Sequence, residues 1–303
     1  MTQVRANGIG MEVDDLGRPG DPVVLLIMGL GMQLVAWPEP LCTSLLDAGY
    51  RVVRFDNRDV GLSQKIDSGA RVNLPLAAMR YFLRLPVAAP YRMDAMAADA
   101  VGVMDALGIE SAHLVGASLG GMVAQTIAAA FPKRCTSLVS IMSSSGDRRL
   151  PPAELKVIRK LLKRPRAGSG TDELIEHFSQ LMKAIGSPGF PMADDYLHER
   201  MRVGVERCYC PEGTARQLLA VIASGDRSAQ LRSIGKPTLV LHGDSDPLIP
   251  LAHGIDCARK IDGAQLQVVP GMGHDLAPGL LPILSDALLR HFASVGARTV
   301  TRQ

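Results

Sequence analysis

Three short runs constrain the fold more than anything else in this chain: VVLLIM (23–28), RVVRF (51–55) and AHLVGA (112–117). They are apolar at consecutive rather than alternate positions, so a strand made from them is buried on both faces. Parallel sheets covered by helices on both sides meet that requirement. Between the second and third runs, DAMAADAVGVMDALGI repeats its apolar residues at helical spacing and ends near Gly108. After the third, GGMVAQTIAAAF is alanine-rich, and Pro132 stops it. SLVSIM (137–142), PTLVLHG (237–243) and QLQVV (265–269) supply three more strands. Near the N-terminus, Asn7-Gly8 and Leu16-Gly17 are turn signals that predict an antiparallel hairpin. Strand and helix alternating in this way predict an α/β fold.

The alternation breaks between about Gly146 and Ser233, where polar helical patterns are punctuated by PRAGSG, GSPGFP and CPEG. This stretch reads as a helical cap inserted over the edge of the sheet. The expected division is a core of residues 1–145 and 234–303 with a cap of 146–233. Residues 71–92 are also unusual, being apolar with several prolines. They could line a pocket or touch a lipid surface; the simpler expectation is a buried loop and short helix packed on the cap.

Composition removes several functional classes. The 303 residues carry 33 basic and 30 acidic side chains, a formal charge of +3, and no basic run interleaved with aromatics, so nucleic acid is not an expected partner. No apolar run reaches the 18 residues of a membrane span. The opening MTQVRANGIGMEVDDLG lacks the core of a secretory signal, and the five scattered cysteines (Cys42, Cys135, Cys208, Cys210, Cys257) favour free thiols. A cytoplasmic location is therefore expected. Cys208-Tyr209-Cys210 lacks the spacing of a zinc site and reads as loop. A homodimer is compatible with the sequence but not specified by it.

Chemistry is suggested by LVGASLGGM (114–122), in which Ser118 stands between a strand and a helix. Gly116 and Gly120 remove side chains that would obstruct a tight strand–turn–helix, and the helix N-terminus favours negative charge beside the serine. A nucleophilic serine needs a base, an acid that orients the base, and donors for an oxyanion. Among His113, His177, His198, His242, His253, His274 and His291, only His274 follows a late strand on a glycine-rich loop, in VVPGMGHDL. LVLHGDSDPLIP places Asp246 and its rival Asp244 beyond the preceding strand, with Asp147 a third candidate. His242, Asp244 and Asp246 share a strand face but lack the partners of a catalytic metal site, so no metal is expected. The oxyanion donors expected are the amide of Leu119 and, from the loop MGLGMQLVAWP, that of Leu30, with Gly31 the alternative. That loop lacks the third glycine of a dinucleotide fingerprint.

IMGLGMQLVAWP, FDNRDVGLS, LVGASLGGM, KPTLVLHGDSDPLIP and PGMGHDL occur in the order found in the α/β-hydrolase superfamily, which the chain resembles over nearly its whole length. The MGLG and WP details are similar to the aclacinomycin methylesterase-like branch of bacterial esterases and lipases. The resemblance implies an eight-stranded, mostly parallel sheet with a helical cap between strands six and seven. It also implies a serine hydrolase that needs no cofactor, with a triad of Ser118, Asp246 and His274. Many members have His-Gly where this chain has Met28-Gly29. The activity expected is hydrolysis of a carboxylic ester, carboxylesterase- or lipase-like, the 71–92 segment and the chain's 14 methionines suggesting an adaptable apolar pocket suited to acyl or aromatic groups. Thioester, C–C bond and peroxidative chemistry use the same triad, and a hydrolase-fold receptor with little turnover is the non-enzymatic alternative.

Overall fold

The computed structural model describes residues 1–67, 72–163, 165 and 168–300. Arg71, at the start of the 71–92 stretch, and Arg166 and Ala167, in the PRAGSG signal, lie outside them. Eight strands form one sheet in the order β1-β2-β4-β3-β5-β6-β7-β8. β1 (Thr2–Ala6) and β2 (Ile9–Leu16) make the expected antiparallel hairpin, and β2 pairs antiparallel with β4 (Arg51–Phe55). From β4 onward, through β3 (Val23–Ile27), β5 (Ala112–Ala117), β6 (Cys135–Ile141), β7 (Thr238–Gly243) and β8 (Gln265–Val269), neighbouring strands pair parallel.

Because successive side chains of a strand point to opposite faces, each apolar run builds two cores at once. Leu25 and Ile27 of β3 face α3 (Met93–Ala106) and α4 (Leu119–Ala130). Val24 and Leu26 face α1 (Glu39–Asp47) and α11 (Leu281–Val300). α10 (Ala252–Lys260) links β7 to β8. α2 (Leu74–Phe82) lies between β4 and α3. Between β6 and β7 the chain forms α5 (Leu155–Leu162), α6 (Thr171–Ile185), α7 (Asp194–Arg207), α8 (Pro211–Ser224) and α9 (Ser228–Arg232). α2 packs on α8, as expected of the 71–92 stretch, but Leu76 and Met79 of the helix and Leu83 and Leu85 after it stay exposed. All five cysteines are free thiols.

His113 is buried in β5 against Phe292, with Ser137 Oγ 2.7 Å from its Nδ1. Burial first, and the charge of His291 second, push its pKa down to about 4. The folded state thus binds this proton less readily than the unfolded chain, whose histidine titrates near 6.5. The resulting stabilisation is complete above about pH 6.5 and is lost as pH falls toward 4, on the order of 3 kcal/mol. Urea midpoints at pH 7.5 and 4.5 should therefore lie further apart for the wild type than for His113→Gln. An equal gap in both proteins would refute this assignment.

Candidate active site

Ser118 lies at the carboxyl end of β5, in the middle of the sheet, and its backbone is forced to φ 55°, ψ −119°. Positive φ is costly for a residue with a Cβ, and here the surroundings impose it. A Cβ on Gly116 would overlap the Gly120 carbonyl, and one on Gly120 would overlap the Ile27 carbonyl. Glycine at both positions lets the turn close against β3. Ser118 N donates to Ile141 O at 2.9 Å, and Ser143 Oγ donates to Ser118 O at 2.8 Å, so the turn is also held from β6. The serine remains partly accessible.

The three residues picked from the sequence converge. His274 Nε2 lies 3.0 Å from Ser118 Oγ, and His274 Nδ1 lies 2.7 Å from Asp246 Oδ2. An imidazole that donates from Nδ1 to the carboxylate presents Nε2 as an acceptor for the serine hydroxyl. The other oxygen of Asp246, Oδ1, accepts from Leu248 N at 2.9 Å and Ile249 N at 2.8 Å. The carboxylate is therefore fixed on both sides. His242 lies 3.7 Å from Asp246 Oδ2, and its Nε2 donates to Ile249 O at 2.7 Å. Burial lowers its pKa, which keeps it neutral at pH 7.

The rival acids point elsewhere. Asp244 accepts from Gly271 N at 2.7 Å and from Ser245 Oγ at 2.8 Å. Asp147 is taken up by Arg149 and, at 2.9 Å, by Lys260, and those hydrogen bonds hold it well below the usual carboxylate range. His113 is enclosed in β5, His177 and His198 sit on α6 and α7, and His291 is buried mid-way along α11 rather than near its end.

On the other side of Ser118, Gly29 comes so close that a Cβ there would stand 3.2 Å from Ser118 Cβ. The following loop is tied down by side chains that the sequence pattern did not single out. Gly31 N donates to Gln217 Oε1 at 2.9 Å, and Gln217 Nε2 donates to Arg58 O at 2.8 Å. Asn57 Nδ2 donates to Met28 O at 2.9 Å, and Asp56 Oδ1 accepts from Leu34 N at 2.7 Å. Arg207 of α7 donates to Asp56 Oδ2 and to Gln33 Oε1, each at 2.6 Å. Among the described residues the amides of Leu30 and Leu119 have no hydrogen-bond partner. The signals for these anchors were present but ambiguous: FDNRDVGLS is dense in polar residues, whereas Gln217 is one glutamine in a helix.

The histidine loop has its own fastening. His274 N donates to Ile185 O at 2.7 Å, Gly273 N to Ser187 Oγ at 2.8 Å, and Gly189 N to Gly271 O at 2.9 Å. Ser187 Oγ in turn donates to Asp275 Oδ1 at 2.5 Å. Burial raises the pKa of Asp275 despite these bonds. The segment after α6 thus holds the backbone on both sides of His274.

Residues 22–180 match the alpha/beta hydrolase fold family, and the chain belongs to that family. Among curated relatives, it is similar to a rhodomycin D methylesterase of Streptomyces peucetius, 24% identical, with 92% of this chain and 93% of the relative covered. It is also similar to a 2-hydroxy-6-oxononadienedioate/2-hydroxy-6-oxononatrienedioate hydrolase of Pseudomonas sp, 25% identical, covering 90% and 88%. Among solved structures, a meta-cleavage product hydrolase from Pseudomonas fluorescens IP01 superposes with a TM-score of 0.76 at 20% identity, over 97% of this chain and 98% of that one. At that identity the superposition speaks for the fold alone.

Proposed function

We propose that the protein is a serine hydrolase of carboxylic esters that works through an acyl-enzyme on Ser118. The observation that carries this reading is the continuous chain Asp246–His274–Ser118, at 2.7 and 3.0 Å, beside two unpartnered amides. His274 Nε2 takes the hydroxyl proton as Ser118 Oγ bonds to the ester carbon. The carbonyl π electrons move onto oxygen, where the Leu119 and Leu30 amides receive the charge. Leu30 is the second donor rather than Gly31, because Gln217 already occupies the Gly31 N–H. When the intermediate collapses, the C–O bond to the alcohol breaks and His274 returns its proton to the leaving oxygen. Water then adds by the same route, and the acid departs as Ser118 recovers its proton. Asp246 keeps the imidazole in the required tautomer and offsets its transient positive charge.

The similarity to the methylesterases supports a methyl ester as the substrate, and the apolar acyl or aromatic group is the expectation carried over from the sequence. Residues 146–233, with α5 to α9, act as the cap that selects it, over a core of 1–145 and 234–303. No helix among the described residues is long and apolar enough to cross a membrane, and the five free thiols fit a cytoplasmic enzyme. C–C bond hydrolysis is the second reading, favoured by the similarity to the dioate hydrolase.

A panel of p-nitrophenyl esters, aromatic methyl esters and a vinylogous 1,5-diketone tests both readings. Sustained ester turnover with a burst of first product is expected. Turnover of the diketone alone would overturn the ester reading and leave the triad intact. Replacing Gln217 with Leu should lower kcat roughly ten-fold while changing KM little, because the oxyanion loop then loses its tether. An unchanged kcat would show that the tether is dispensable.

A further inference from the structure

We propose that α2 and α5 form a face that docks on an anionic lipid surface. α2 buries Ala77 against Leu219 of α8 but leaves Met79 51% exposed, and the turn after it leaves Leu83 61% exposed. That turn is a built feature. Arg80 Nε donates to Pro86 O at 2.7 Å, and Leu85 N donates to Arg80 O at 2.8 Å. α5 buries Val157 and leaves Leu155 71% exposed, with Leu161 also exposed. Seven residues before α5, the Arg148 guanidinium lies 4.2 Å from the centre of the Tyr81 ring of α2 and donates to Tyr81 O at 3.1 Å, which ties the chain leading into α5 to α2.

Charge points to the occupant. VNLPLAAMRYFLRLPVAAPYRM contains Arg80, Arg84 and Arg92 and no acid, and LKVIRKLLKRPR contains six basic residues and no acid. Nine of the chain's 33 basic residues lie in these two stretches and none of its 30 acidic ones, which leaves the remainder of the chain net acidic. Of the acids just outside them, Glu154 is exposed and paired with Lys156 at 2.8 Å. Leucines interleaved with basic side chains on a helix suit the boundary between headgroups and acyl chains, where both kinds of group are satisfied together. A nucleic acid would leave the leucines in water. A second copy on the same face would set like charges against each other. Because α2 rests on α8, and α8 holds Gly31 through Gln217, bound lipid would lie one helix layer from Ser118.

Flotation of the full chain with vesicles tests the proposal without relying on catalysis. Partition onto vesicles of phosphatidylcholine with 30% phosphatidylglycerol should exceed that onto phosphatidylcholine alone by at least about ten-fold, and should fall in high salt. Arg84→Gln should weaken it roughly five-fold, the value of about 1 kcal/mol for one basic side chain at such a surface. Met79→Ser with Leu83→Ser should abolish it, while circular dichroism and turnover of a water-soluble ester stay at wild-type levels. No partition onto anionic vesicles, or equal partition by the variants, overturns the proposal. A chain that ignores vesicles but binds duplex DNA, or forms a dimer broken by Leu83→Ser, overturns it equally.

Discussion

Ester turnover should fall roughly 10^4- to 10^6-fold in Ser118→Ala, and by a similar factor in His274→Ala. The two losses should be alike because the residues act as one unit. Without the base, the hydroxyl keeps its proton and is a poor nucleophile; without the hydroxyl, the base has nothing to activate. The double variant should be little worse than either single one, since what remains is stabilisation by the Leu30 and Leu119 amides and substrate binding. Neither change should unfold the chain. Ser118→Ala deletes an oxygen from a partly accessible side chain, and the strained turn around it is fixed by Gly116, Gly120 and the backbone bond to Ile141. Steady-state rates on a p-nitrophenyl ester, read with the unfolding midpoint of each variant, check both statements. Ester turnover that survives Ser118→Ala would contradict the mechanism.

Asp246→Asn should cost about 10^4-fold in kcat, against less than about ten-fold for Asp244→Asn. The two residues are a dipeptide step apart, but only Asp246 meets His274, at 2.7 Å. With asparagine there, the amide can donate to Nδ1, which favours the tautomer carrying its proton on Nε2. That tautomer cannot accept from Ser118. Asp244 instead holds the turn through Gly271 N and Ser245 Oγ, and an asparagine carbonyl can still accept from Gly271. A larger loss at position 244 would reverse the assignment of the acid.

Features carried by local chemistry were legible in the sequence. Consecutive apolar residues located β3 and β5, the glycines around Ser118 marked the elbow, and the loop GMGH set His274 apart from six other histidines. The choice between Asp244 and Asp246 was not local, because it depends on which carboxylate the amides of Leu248 and Ile249 catch as the loop turns back. The preference for Leu30 over Gly31 is less local still, since it rests on Gln217, which occupies the Gly31 N–H from 186 positions away. Ser187 was invisible for the same reason: nothing near GSPG in the chain indicates that it fastens Gly273. The 71–92 stretch shows a different limit. Its apolar character was plain, but which side chains α8 covers depends on the tertiary packing of α2.

Everything proposed for the chemistry rests on Ser118 as a nucleophile activated by His274. Intact-mass measurement after treatment with a fluorophosphonate tests it most directly, because the reagent forms a stable adduct only with an activated hydroxyl. A single adduct is expected that maps to Ser118, is absent from Ser118→Ala, and forms at least roughly 100-fold more slowly in His274→Ala. An adduct on another residue, or one forming at the same rate without His274, would contradict it.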